Sequence, residues 1–571
     1  MSMPIGQLEP VQPPPDLPMR ESEEIQGNIL AGFNKDHQVF LLLQFTDPVS
    51  GRAYLGELWP RIATTRQVAT FNAQFSNARR LRGGDDPENL KAVWVNVGLT
   101  GRAFEFLAPG LEPDLQNFFA FRLGAAARAA DLRDVGQSDP ANWLFGAPHQ
   151  PPVDLILTIA ADEEEDLQTE VEKQRALAAK HGLIVVFEQR GDTLPDERAG
   201  HEHFGFKDGV SQPGVRGFHP VNPENPDERL GHPGTEMIAP GEFILGFVSE
   251  FGAQESPEWM HDGSFQVFRR LSQDVPSWWA QVTRQNQSLP SDDPMTEDLL
   301  AAKLVGRWRS GTPLAHAPDR DNRSAQDRTQ DNNFKFDDDP EGIKTPRFAH
   351  IRKMYPRNNS RFGDRTRRII RRGIPFGQAF DPTAGRGHGV DADRGLIFNV
   401  FMASIENQFE FLQQAWANSA QFPGNVLGDN RTDGPDPIIG EDTAPCEIRR
   451  EDRPDVHLDF RRFVFTTGAL YAFAPSISTL RRLSEGFGSE PADDVLHVGG
   501  KAFITRGDGS SWRLREQPSL GGRILGMLRP GTEMTLRAGP VRADGHDWWN
   551  VLVTDGREGW VASGGLVPRL D

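Results

Sequence analysis

The order of apolar periods between Gln38 and Phe187 restricts the fold of this chain more than any other feature. Gln38 to Phe45 reads as a buried strand. Val93, Val95 and Val97 alternate with Trp94, Asn96 and Gly98, the period of two that a strand requires. Val153 to Ile159 and Leu183 to Phe187 read as a third and a fourth strand. Asp162 followed by Glu165 has the character of a helix N-cap and its third residue. The helix then carries Leu167, Val171 and Leu177 and stops at Gly182. Strand, helix, strand, then strand, helix, strand is a ferredoxin-like split pattern with an antiparallel or mixed sheet.

The second half repeats the pattern more loosely. Glu242–Val248, Ser264–Leu271, Gly395–Ala403 and Phe463–Phe473 read as strands. Trp278–Gln287 and Thr296–Gly306 read as helices, and Ile405, Phe409, Leu412 and Trp416 fall on one helical face. The expectation is an α+β protein of two ferredoxin-like halves, 23–230 and 231–488. A flexible leader over 1–22 precedes them, because its prolines suit neither helix nor sheet. Pro318–Pro346, polar and holding three consecutive aspartates, reads as a surface loop. Past Gly488, short β-like runs separated by turn signals predict a small all-β unit over 505–571.

Composition removes several functions. The 571 residues carry 62 Lys+Arg against 81 Asp+Glu, a formal charge of −19. That argues against a general nucleic-acid or anionic-membrane binder. One cysteine excludes an intrachain disulfide framework, a thiolate zinc cluster and a cysteine-held iron–sulfur centre. No run of 18 apolar residues predicts a membrane span, and the leader has no export-signal pattern. The expectation is a soluble cytoplasmic protein.

Three segments carry candidate chemistry. Gly205-Phe206-Lys207-Asp208-Gly209, continuing Val210-Ser211-Gln212-Pro213, sets a carboxylate between glycines in a tight loop; a plain Asp-Gly turn is the competing reading. Phe348-Ala349-His350-Ile351-Arg352 presents a lone histidine, which is more often a packing residue than a ligand. Between Arg347 and Arg372 stand ten lysines and arginines and one acid, Asp364. Aromatic interleaving for base stacking is thin there, so the block suits a small multiply charged anion better than nucleic acid.

Taken in order, these segments resemble the dye-decolorizing peroxidases, haem enzymes with a Gly-x-x-Asp-Gly signature. Glu24-Ile25-Gln26-Gly27-Asn28, Asn142-Trp143-Leu144-Phe145-Gly146, Gly395-Leu396-Ile397-Phe398, Ile405-Glu406-Asn407-Gln408-Phe409 and Ala472-Phe473-Ala474-Pro475-Ser476 support the resemblance across 22–485. It implies haem b bound in the C-terminal half, with His350 as the iron ligand. Asp208 is then the distal acid and Arg371 the distal arginine, with Arg372 one residue away. Arg352, Leu396, Phe398 and Phe409 are the further cofactor-binding residues it implies. The family's acid beside the proximal histidine has no clear counterpart: Ser404 stands where it is common, and Glu406 is close by. The implied activity is reduction of hydrogen peroxide with oxidation of dyes, phenols or other bulky aromatic substrates. Asp208 would move the proton and Arg371 would stabilise the departing oxygen, with an acidic optimum. A haem-binding, iron-releasing protein with little turnover is the alternative, and a non-catalytic scaffold is a third reading.

Leu514-Arg515, Gly531-Thr532, Trp548-Trp549 and Gly559-Trp560-Val561 resemble bacterial SH3-like domains, which implies a peptide or cell-wall ligand for the tail. His201 and His203 lack an evident third metal ligand. Cys446 lies in a polar stretch unlike a haem-thiolate loop. Gly385 to Gly389 does not join a strand to a helix, so a dinucleotide site is not expected. Tyr355 and Trp416 are candidates for relaying electrons to the surface.

Overall fold

The computed structural model describes residues 17–571 except 88, 323, 325–326, 381–391, 430, 442–443, 488–495, 497–500, 506–510 and 569–571. The first half is built on strands β1 (His37–Gln44), β2 (Val93–Thr100), β3 (Leu155–Ala161) and β4 (Ile184–Asp192). Helices α1 (Pro48–Leu58) and α2 (Thr65–Leu81) lie between β1 and β2 in sequence, and α3 (Glu164–Lys180) joins β3 to β4. The second half supplies β5 (Ser264–Gln273), β6 (Ile370–Arg371), β7 (Ile374–Phe376), β8 (Gly395–Met402) and β9 (Val464–Ala474).

The halves share one nine-stranded sheet, ordered β6-β8-β5-β9-β2-β3-β1-β4, with β7 also on β8. Every neighbouring pair is antiparallel. Counting β6 and β7 as one position, each half has the ferredoxin-like order 4-1-3-2. The seam is short: Ala472 pairs with Thr100, and Phe473 with Leu99. Phe265, Phe473, Phe104 and Phe121 pack over it with ring centroids 5.3–6.4 Å apart, so one apolar core runs beneath both halves.

Several local expectations change. Glu242–Val248 is not a strand: a 3-10 turn at Pro240–Glu242 and Gly246 at φ +86° break the extended run, while Phe243, Ile244 and Leu245 stay buried. Asp162 does not cap α3. Its Oδ2 accepts from Lys35 Nζ at 2.7 Å and from Ala92 N at 2.8 Å, so Glu163 takes the cap position. The face bearing Ile405, Phe409, Leu412 and Trp416 is buried, but its backbone is wound as π-helix over Ile405–Glu410 and Leu412–Ala417. In 318–346, Asp339 is buried and accepts from the amides of Ile343, Lys344 and Thr345, so part of this stretch is folded inward. Residues 17–22 are also ordered: Pro18–Glu21 is a 3-10 turn whose Met19 is buried and donates its N–H to Gly217 O. Residues 1–16 and the segment Gly385–Gly389 lie outside the described residues.

The tail is a curled seven-stranded antiparallel sheet. Its strands are β10 (Lys501–Ile504), β11 (Trp512–Arg515), β12 (Ile524–Leu528), β13 (Glu533–Ala543), β14 (His546–Val553), β15 (Glu558–Ala562) and β16 (Leu566–Pro568). It takes in β10, upstream of the expected start at 505. Ile504, Leu514, Leu528, Met534, Leu536, Val551 and Val561 fill its interior, the alternate positions of strands that bury one face. Among the described residues no helix is long and apolar enough to cross a membrane.

Candidate functional site

A cavity of about 290 Å³ is lined by the loop 202–213, by residues between His350 and Arg371, and by side chains of β5 and β8. Asp208, His350, Arg371, Leu396, Phe398 and Phe409 all line it. Three distant stretches of sequence therefore meet at one place. A second, more polar cavity of about 360 Å³ adjoins it and shares Glu202, Asp208, Arg371 and Leu396.

His350 opens a five-residue helix, His350–Met354. Nδ1 lies 2.8 Å from Oδ2 of Asp436, whose other oxygen accepts from the amides of Ile438 and Ile439. The Asp436 side chain is fully buried, so its hydrogen bonds orient it rigidly. Burial works against protonating His350, but Asp436 outweighs it and the imidazole pKa is raised. The ring is 26% exposed, and because it lines the cavity this exposed surface faces inward. Nε2 has no partner among the described residues, which leaves that nitrogen free for a ligand bond.

The surrounding basic block explains how so short a helix is held. Lys353 is buried and donates to the carbonyls of Trp416, Ser419 and Phe422. Arg347 is buried against Asp429 and Asp433. Arg352 does not face the cavity: it bonds to Asp339 and to Thr345 O, and stacks over Phe336, which corrects its expected role as a cofactor contact. Arg357, Arg367, Arg368 and Arg371 do line the cavity, joined by Arg269 and Arg307. Arg347, Arg352 and Lys353 are thus spent on acids or carbonyls away from the cavity, whereas Arg357 and Arg367 line it while also donating to the carbonyls of Asn332 and Asn407.

Asp208 is presented by a loop with positive φ at Gly205 (+96°) and Gly209 (+70°), which an L side chain would strain. Its Oδ1 accepts from Gly209 N at 2.6 Å and from Arg371 Nη1 at 3.2 Å. Oδ2 has no partner among the described residues. Arg371 sits at the end of β6, and its Nη2 donates to Ser211 O at 2.6 Å. Gln212 clamps the Arg371 backbone through both its amide atoms, 2.8 and 3.3 Å away. Arg372 points the other way, donating to the carbonyls of Asn28, Ile29 and Leu30. Arg371 thus lines both cavities, while Arg372 lines only the outer one.

The remaining candidates resolve as follows. Ser404 caps the π-helix through Asn407 N, and Glu406 accepts from Ala120 N, so neither supports His350. The supporting acid, Asp436, escapes sequence reasoning. Its only local sign is an aspartate between two prolines in Gly434-Pro435-Asp436-Pro437. His203 is buried with Nε2 on Phe376 O, and among the described residues no cluster of three metal-ligating side chains occurs. Cys446 is buried in the short strand Cys446–Ile448 and does not line the cavity. Tyr355 lines the cavity and donates its hydroxyl to Glu236 at 2.6 Å, while Trp416 is buried and stacked on Phe422. Trp416 is therefore not a surface residue, and Tyr355 is half-buried.

The cavity's donor set suits a flat, largely apolar group bearing carboxylates. Leu396, Phe398 and Phe409 provide apolar wall, and a partner-free imidazole nitrogen lies among them. Arg269 Nε and Arg368 Nη1 are buried without a hydrogen-bond partner, which leaves N–H groups for an anionic ligand to satisfy.

The chain is similar to known proteins over most of its length. Residues 24–193 match the DyP dimeric alpha+beta barrel domain family, and 234–427 match the Dyp-type peroxidase C-terminal family. Residues 510–567 match the bacterial SH3 domain family. Dye-decolorizing peroxidase msp1 of Mycetinis scorodonius is 30% identical over 484 residues, 80% of this chain and 86% of that protein. Multifunctional dye peroxidase DyP2 of Amycolatopsis sp. is 30% identical over 483 residues, 81% of this chain and 95% of that protein. A solved point mutant of the dye-decolorizing peroxidase from Pleurotus ostreatus superimposes with TM-score 0.70 at 29% identity, covering 82% of this chain and 99% of that one.

Proposed function

This chain belongs to the dye-decolorizing peroxidase family, and we propose that the cavity beneath His350 is where its peroxidase chemistry takes place. The family's enzymes are haem peroxidases that act on dyes. We assign haem b as the form bound, with His350 Nε2 as the iron ligand. The observation that carries the assignment is the joint placement of His350, Asp208 and Arg371 on one cavity. Arg368, Arg269 and Arg357 would take the carboxylates, and Leu396, Phe398 and Phe409 would pack on the ring. Haem supplies the two-electron reduction of peroxide and the later one-electron oxidations.

The side chains supply position and proton control. Asp436 holds the imidazole in the tautomer with hydrogen on Nδ1, which leaves Nε2 as a donor of electrons to a metal. Asp208 accepts a proton from hydrogen peroxide at its unoccupied Oδ2 and returns it to the departing oxygen, so that one carboxyl serves as base and then acid. Arg371, charged at every working pH, stabilises negative charge on that oxygen. The apolar wall excludes water, which strengthens both effects. Hydrogen peroxide is small enough to reach Asp208 through the polar outer cavity. Dyes and bulky phenols are the proposed reducing substrates, and a peptide or cell-wall fragment is the proposed ligand of the tail.

The test is the absorption spectrum of protein from haem-supplemented cells beside a His350→Ala variant, followed by peroxide-dependent dye oxidation. A Soret band lost or strongly shifted in the variant, with turnover in the parent, is expected. A band unchanged by the substitution removes His350 as the ligand. Haem without turnover leaves a haem-carrying protein.

A further inference from the structure

Asp208 hangs on a small loop that one half-buried carboxylate, Glu202, organises. Glu202 Oε1 accepts from Phe206 N at 2.9 Å, and Oε2 accepts from Phe204 N at 2.8 Å. The backbone closes the same ring: Glu202 N donates to Phe206 O at 3.0 Å, and Gly205 N to Glu202 O at 2.9 Å. Below it, His201 bridges to Lys207, and Asp208 N donates to Gly200 O at 2.9 Å. The legs of this narrow hairpin are thus 200–202 and 206–208, with Asp208 at its base.

Several contacts fix the hairpin to the protein, among them Trp279 Nε1 donating to Phe204 O at 3.2 Å and Lys207 N donating to Arg309 O at 3.1 Å. Phe204 stacks on Trp278 at 4.8 Å, and Phe206 meets the same indole edge-on at 6.0 Å. Gln273, the last residue of β5, donates Nε2 to Glu202 Oε2 at 2.7 Å. A continuous path therefore runs from the central sheet through Gln273 to the Glu202 carboxylate. It continues into Phe206 N, two residues from Asp208. Glu202 lines both cavities, so it stands in the wall between them beside Asp208. Burial pushes the Glu202 carboxyl up to about 7, the three donors oppose that shift, and the Asp208 charge adds to it.

We propose that Glu202 is a positioning residue for Asp208, tying the hairpin to Gln273 at the end of β5 so that Asp208 faces Arg371. All three groups bonded to Glu202 are donors, so a two-oxygen acceptor satisfies them and an amide cannot. Glu202→Gln keeps the size but sets an NH2 against at least one N–H. The inference rests on the assignment of Asp208 as acid and base, and the experiment separates the two.

The measurement is the second-order rate of reaction with hydrogen peroxide at pH 8, above the Glu202 titration, followed at the Soret band of holoenzyme. Parent, Glu202→Gln, Asp208→Asn and the double variant are compared. Glu202→Gln is expected to lose about 10–100-fold, the usual cost of removing a residue that orients a working group, with its Soret maximum and haem content retained. KM for the reducing dye is expected to stay put. In the Asp208→Asn background the same change is expected to cost less than about twofold, because coupled residues are not additive. An equal loss in both backgrounds, or no loss in the first, overturns the inference. If Asp208→Asn itself reacts at the parental rate, the acid-base assignment is what has failed. Gln273→Met, which cuts the tether without touching the hairpin, replaces Glu202→Gln should the latter not load haem. It is expected to show the same dependence on Asp208, and its absence overturns the proposal equally.

Discussion

His350 and Asp436 are 86 residues apart in sequence, yet their side chains meet at 2.8 Å, Nδ1 to Oδ2. Asp436 is held by two backbone amides and has no exposed surface, so the pair cannot swing apart without leaving a buried charge. The pair makes Nε2 more electron-rich and so favours the oxidised state of a bound iron. Asp436→Asn keeps an acceptor for the amides but removes the charge. The haem reduction potential is expected to rise and haem affinity or activity to fall by about 10–100-fold. A potential equal to the parent's, by spectroelectrochemical titration, would show that the charge does not reach the iron.

Arg371 and Arg372 are adjacent in sequence and opposite in task. Arg371→Leu removes a cavity cation, so the peroxide rate is expected to fall about 10²–10³-fold, as for other groups that stabilise developing charge. Thermal stability is expected to change little, because Arg371 is partly exposed. Arg372→Leu leaves three carbonyls at 28–30 without their donor. Each buried orphan costs about 1–3 kcal/mol, so here the melting temperature is expected to drop. Calorimetry and stopped-flow on both variants check this; a stable but inactive Arg372→Leu would reverse the assignment.

Why one arginine of the pair faces the cavity cannot be read from sequence. Adjacent strand residues point to opposite faces, but which face belongs to which residue depends on the register of β6 against β8, where Arg371 pairs with Val400. The same limit hides Asp436. The helix Glu164–Lys180 is legible because burial of one face, Leu167, Val171, Gln174, Leu177 and Ala178, dictates its pattern. Asp208 and His350 are singled out by their motifs, and both line the same cavity. Arg352 is misplaced by sequence reasoning because a charge run does not reveal which members meet a nearby acid. Asp339, thirteen residues upstream in a polar stretch, claims that guanidinium.

Asp208→Asn tests the proton role directly. The amide cannot take a proton at Oδ2, while Arg371 Nη1 can still donate to the remaining oxygen, so geometry is largely kept. The peroxide rate is expected to fall about 10²–10⁴-fold, the usual worth of general acid–base catalysis, with haem content unchanged. A loss below about tenfold, measured at several pH values, would assign the proton to another group.

Asp262 connects a half-buried carboxyl to the pH dependence of stability. It sits at φ +60° in the turn before β5, and burial, aided by the charge of Glu24, pushes it up to about 7. An unfolded aspartate titrates near ~3.9. Between those values the folded state binds the proton more readily than the unfolded one, so stability falls as pH rises from about 4 to about 7. Below the window the group is neutral in both states and costs nothing; above it the folded protein holds an unfavourable charge. Asparagine tolerates positive φ and does not titrate. The melting temperature of Asp262→Asn minus that of the parent is therefore expected to be larger at pH 8 than at pH 5, by at least about 2 °C for each kcal/mol relieved. Glu202 and Glu242, also raised to about 7 by burial, titrate in the same window but are present in both proteins and cancel in the difference. A difference independent of pH would mean that Asp262 is already ionised at pH 5 in the folded protein.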